Sequence, residues 1–126
     1  MKLFSALLAV AAIAQTPFAC NRSALTPEVR KRHFDELMPQ LRASLNGVRE
    51  LADGFEFAFP SDKATTRLLT EWVANEHACC PFFDITLKFE REGGAALLSL
   101  TGRPGAKEFI RADFGKWFTA PTTNGQ

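Results

Sequence analysis

A chain of 126 residues is the length of one domain and can bury a core without a metal or disulfide staple. An apolar share of 46%, a charged share of 23% and a formal charge of +1 with no basic run exclude a disordered chain and argue against a nucleic-acid partner. Twelve Phe and two Trp with no Tyr describe a bulky, dry core with few hydroxyl groups inside it.

The first residues read as an address. Lys2 supplies a positive charge, and Leu3 to Ala14 is an apolar run broken only by Ser5. That run is too short to span a bilayer but has the length of a signal-peptide central region. Ala12-Ile13-Ala14 fits the small-x-small cleavage pattern, and Pro17-Phe18-Ala19 fits it less well. The expectation is a signal peptide over 1–19, cleaved near 14 or 19, and a single α+β domain over 20–118. The mature protein is then exported, periplasmic or secreted, with no stable membrane span. Lipid anchoring at Cys20 is the lesser alternative, because Pro17 and Phe18 make a poor lipobox.

Thr26-Pro27-Glu28 is a helix start: a hydroxyl cap, a proline in the first turn and an acid behind it. Val29, Leu37, Leu41 and Leu45 recur near helical spacing, Pro39 should kink or split the helix, and Asn46-Gly47 ends it. Val48 to Ala52, Asp53-Gly54 and Phe55 to Phe59 then read as a hairpin with a tight primed turn. Ser61 or Asp62 caps a second helix that runs to about Cys80, where Pro81 blocks it. Phe83, Ile85, Leu87 and Phe89 alternate with polar residues, the clearest strand in the chain. Gly93-Gly94 turns it into a partner strand from Ala95 to Leu100. Gly102-Arg103-Pro104-Gly105 leads to a last helix carrying Phe109, Ile110, Phe114 and Trp117, and 119–126 reads as a loose tail. The order helix, hairpin, helix, hairpin, helix predicts a four-stranded, mainly antiparallel sheet with helices on one face.

The second helix carries the chemistry. At about 100° per residue, Leu68, Leu69, Trp72, Val73, Cys79 and Cys80 share one broad face, and Glu76 falls near its middle. A carboxyl group on a core-facing stripe costs free energy unless it is paired, liganded or protonated. Glu76 lies three residues before Cys79 and four before Cys80, so the three side chains can converge. His77 and Asn75 flank the face and are not assigned to the site. His33 has no motif around it and reads as a surface residue.

Several readings of the cysteines stay open. Adjacent cysteines seldom bridge each other, so Cys20 can form a disulfide with Cys79 or Cys80 and leave one thiol free. Alternatively Cys20, Cys79 and Cys80, with Glu76 beside them, hold a soft metal or metalloid ion such as Hg(II), Cu(I), As(III) or Zn(II). Zinc is the weakest of these, because its usual ligand pairs are spaced and not adjacent. A helix C-terminus disfavours an anion, which argues against a reactive low-pKa nucleophile at Cys79 or Cys80. An enzyme reading has one concrete form, in which a neutral Glu76 protonates a metal–carbon bond held by the thiolates. The plainest reading is cysteine as core filling.

Glu76-His77-Ala78-Cys79-Cys80-Pro81-Phe82-Phe83, with the later segment Leu100 to Phe109, resembles a set of small uncharacterised bacterial proteins that carry a Glu-x-x-Cys-Cys-Pro-Phe motif. Many of these have an upstream cysteine near the start of the mature domain, as Cys20 is here. The resemblance implies a domain over about residues 20 to 118 and singles out Glu76, Cys79, Cys80 and Cys20. It places His77 at a variable position and carries no activity with it. The function expected is therefore an exported protein that binds a soft metal or metalloid, with a thiol-redox or metal-processing enzyme, or a structural domain clasped by a Cys20 disulfide, as the alternatives.

Overall fold

A computed structural model of the chain describes residues 17–119. The expected signal segment up to residue 16 and the expected tail from residue 120 lie outside the described residues.

The first helix, α1, is one continuous rod of three parts: an α-helical turn Pro27–Lys31, a π-helical segment Arg32–Leu37 and an α-helical stretch Met38–Ser44. Thr26 caps it, its side chain accepting the Val29 N–H. The kink expected at Pro39 takes the form of the π segment. The Met38 N–H reaches back five residues to the His33 carbonyl, so the helix widens just before the residue that cannot donate. Widening takes the place of a break.

Strands β1 (Gly47–Leu51) and β2 (Gly54–Phe59) form the first hairpin. Leu51 pairs with Gly54, so the turn residues are Ala52 and Asp53, one earlier than expected. Neither has a positive φ, so the turn is not of the primed type. Gly54 serves packing instead: a Cβ there would run into the Leu100 carbonyl of the neighbouring strand.

Helix α2 (Lys63–Cys79) is capped by Asp62, which accepts the Thr65 N–H, and stops before Pro81 as expected. Its buried residues Thr65, Leu69, Trp72, Glu76 and Cys79 follow steps of four and three, the inward stripe of an amphipathic helix. Strands β3 (Asp84–Phe89) and β4 (Ala96–Thr101) form the second hairpin, and helices α3 (Ala106–Asp113) and α4 (Gly115–Phe118) close the chain.

The sheet is four-stranded and antiparallel throughout, in the order β1-β2-β4-β3. Phe55, Phe57 and Phe59 of β2 lie opposite Leu100, Leu98 and Ala96 of β4, which in turn face Ile85, Leu87 and Phe89 of β3. Alternation puts these on one face and Glu56, Ser99 and Thr86 on the other. The helices cover the apolar face. Phe57 meets Phe114, Trp117 and Phe118, and Trp72 of α2 meets Phe114 and Trp117. Each such ring removed from water contributes roughly 1.5–3 kcal/mol. The α+β fold with one covered sheet face is the architecture the sequence predicts. Among the described residues, no helix is long and apolar enough to cross a membrane.

Candidate functional site

The site forms where α2 ends. Cys79 is the last helical residue, and Cys80 is its cap, with an N–H that still donates to the Glu76 carbonyl at 2.7 Å. On a continuing helix the two side chains would diverge by about 100°. At Cys80 the backbone leaves the helix (φ −121°, ψ 76°), and Pro81 prevents any return. Both thiol side chains can therefore face the same strand of chain, the segment before α1.

That segment is pinned from several directions. The Asn21 N–H donates to the Cys79 carbonyl at 2.7 Å, and a 3-10 turn follows over Arg22–Ala24. Phe18 packs edge-on against Phe82, 5.3 Å between centroids, and lies over Gly105. Gly105 has a φ of +105°, and any Cβ there would collide with the Phe18 ring, so glycine is required on both counts. The Arg103 guanidinium lies over that ring, 4.2 Å from its centroid.

Cys20 and Cys80 are joined by a disulfide, and Cys79 is a free, fully buried thiol. The sulfurs of Cys20, Cys79 and Cys80 all lie within 4.8 Å of one another. The three cysteines thus come together, and the bridge selects Cys80 over Cys79 as the partner of Cys20. Cys20 alone of the three is partly open to solvent.

Glu76 is buried at 2% exposure, but its carboxyl group turns to a partner the sequence did not suggest. His33 of α1 is fully buried, and its Nε2 is hydrogen-bonded to Glu76 Oε2 at 2.8 Å. The expectation that His33 lies on the surface is therefore corrected. The His33 ring stacks on Trp72 at 5.7 Å and meets the Phe34 edge at 4.8 Å, while its Nδ1 has no partner. A signal for this was present: position 33 completes the four-residue series Val29, Leu37, Leu41, Leu45 on the inward side of α1. Arg32 beside it forks onto Glu71 of α2 with bonds of 3.2 and 2.9 Å, which sets α1 against α2. His77 is exposed and takes no part.

Burial raises the Glu76 carboxyl above its ordinary range, against the hydrogen bond and charge of His33, which pull it down. Burial also pushes the Cys79 thiol up, and the negative charge of Glu76 adds to this. Arg22 and Arg30 act the other way. Arg22 lies over the Phe34 ring at 4.1 Å, and Arg30 is held by the Arg22 and Leu25 carbonyls. The result is a thiol poorly suited to act as a free nucleophile. A cleft of about 620 Å³ between α1 and the α3–α4 junction, lined by Phe34, Met38, Arg42, Asp113 and Trp117 among others, contains none of the three sulfurs.

Among the described residues, Cys20, Cys79 and Cys80 are the group of metal-ligating side chains close enough to share an ion, and Glu76 is not in that group. No family model, curated protein or solved structure matches the chain.

Proposed function

We propose that this is an exported thiol protein whose cysteines 20, 79 and 80, when reduced, bind a soft metal or metalloid ion. The observation that carries this reading is the convergence of three sulfurs within 4.8 Å at a closed helix end. Soft ions favour thiolate ligands over the oxygen and nitrogen donors that surround them elsewhere. The raised Cys79 thiol does not oppose it, since a bound soft ion displaces the proton outright. Glu76, expected as a possible fourth ligand, is better read as the partner of His33 and as a support of the seam behind the sulfurs.

Export is supported by the Cys20–Cys80 bridge, because disulfides persist in oxidising compartments. The packing of Phe18 on Phe82 favours signal cleavage near residue 14 over cleavage at 19, which would remove that ring. The bridge also favours a second reading, a structural clasp that fastens the segment before α1 to the end of α2.

Metal analysis of protein from the exported fraction, paired with a free-thiol count before and after reduction, separates the two. Stoichiometric soft metal or metalloid that is lost when Cys20, Cys79 and Cys80 are all replaced by serine supports the binding reading. Three thiols that take up no soft ion after reduction leave the clasp.

A further inference from the structure

Resting on the binding reading above, we propose that the reduced site selects a trivalent metalloid, arsenite or antimonite, and holds it as a neutral three-sulfur complex. Three observations combine. The site offers three sulfurs and, among the described residues, no fourth His, Cys, Asp or Glu side chain joins them. Two of those sulfurs belong to residues that are 0% and 1% exposed. The nearest acid, Glu76, is already bonded to His33.

Charge decides among the soft ions. Arsenous acid condenses with three thiols: three As–S bonds form, three As–O bonds break, and each released hydroxyl leaves as water with a thiol proton. Arsenic stays trivalent and the product is uncharged. Copper(I) on three thiolates leaves two excess negative charges, and mercury(II) on three leaves one. Excess negative charge is expensive where two of the three sulfurs are covered. The nearby Arg22 and Arg30 guanidiniums are already engaged, by the Phe34 ring and by the Arg22 and Leu25 carbonyls. Mercury(II) reaches neutrality with two sulfurs and leaves the third unused. Zinc(II) seeks a fourth ligand that the site does not provide. A trivalent metalloid is the case in which ligand number and charge are both satisfied.

The disulfide must first be opened. An external dithiol supplies two electrons and two protons to the Cys20 and Cys80 sulfurs and becomes a disulfide itself. Attack is expected at Cys20, the partly exposed half of the bridge, and not at the covered Cys80.

The test is native mass spectrometry with thiol counting on the reduced full-length protein, offered arsenite, Hg(II) or Cu(I) in separate samples. The expected result is one arsenic per chain with the loss of three titratable thiols. Arsenite affinity should fall about a hundredfold or more in Cys79→Ser, the upper scale on which losing even a supporting group weakens a metal site. Hg(II) should protect two thiols and be held nearly as well by that variant. Uptake of Hg(II) or Cu(I) without arsenite would overturn the metalloid assignment and leave the binding reading standing. Uptake of none by a folded, fully reduced chain would remove both. A reduced chain that unfolds, by circular dichroism, and is not refolded by arsenite would also overturn the assignment.

Discussion

The aromatic layer between the sheet and helices α3 and α4 and the seam between α1 and α2 are equally closed to water, but they are built in opposite ways. The first is made of rings such as Phe57, Phe59 and Phe114, none more than 1% exposed, that need no particular partner. The second puts His33 and Glu76 in the same dry interior, where each needs a specific neighbour, beside the free thiol of Cys79. Burial alone stabilises the rings. The seam is a net expense unless the His33–Glu76 hydrogen bond holds.

Substitutions in the two regions should differ in size, and the rings should yield the largest effect. Phe57→Ala should cost about 3–5 kcal/mol in urea unfolding, through lost burial and a cavity the neighbours cannot fill. Where the variant still folds, its thiol count should match the wild type. Opening Cys20–Cys80 by Cys20→Ser should cost less, about 2–4 kcal/mol, since the bridge closes a loop with a sequence separation of 60. The fall should show in thermal unfolding. An unchanged midpoint would mean that the clasp contributes nothing to the fold.

The buried pair sharpens the contrast further. His33→Leu should destabilise by about 2 kcal/mol, because it leaves the Glu76 carboxyl without its partner. Replacing both residues, as in His33→Leu with Glu76→Met, should recover most of that loss. If the double variant is worse than the single one, the pair stabilises the fold in its own right. Acidity gives an independent readout. Burial raises the folded Glu76 carboxyl above its ordinary value of 4.5, so the folded chain binds that proton more tightly than the unfolded chain. The stability this brings is complete below about pH 4.5 and is lost as pH rises through the raised folded pKa. Urea midpoints stepped between about pH 4 and 8 should show this decline in the wild type and a flatter profile in Glu76→Gln. The smallest effect lies at the ordinary end of α2. Asp62→Ala, which removes the cap on the Thr65 N–H, should cost about 1 kcal/mol near neutral pH and leave the thiol count alone.

The aromatic half was more legible in the sequence than the seam. Alternation at Phe83, Ile85, Leu87 and Phe89 and the stops at Asp62 and Pro81 are local signals, and the sheet and α2 follow from them. Glu76 announced itself as an acid on an apolar stripe. Its partner could not be found the same way, because His33 lies 43 residues earlier and meets it only when α1 docks on α2. The choice of Cys80 over Cys79 as the bridging residue depends on how the chain leaves the helix, which spacing does not encode. Asp53-Gly54 misled for a similar reason: its glycine answers a neighbouring strand and not the turn.

The wide segment Arg32–Leu37 sets the phase of α1. In a regular α-helix, side chains four apart drift by roughly 40° per step, so His33, Leu37 and Leu41 would fan away from a common line. A wider turn rotates less per residue and cancels that stagger, so all three sit fully buried on one side of the rod. Were the same six residues wound as a regular α-helix, the tighter turn would swing everything before them around the axis. The imidazole would leave the carboxyl group, and Arg22 and Arg30 would leave the sulfurs, with no change to any residue of the cluster itself.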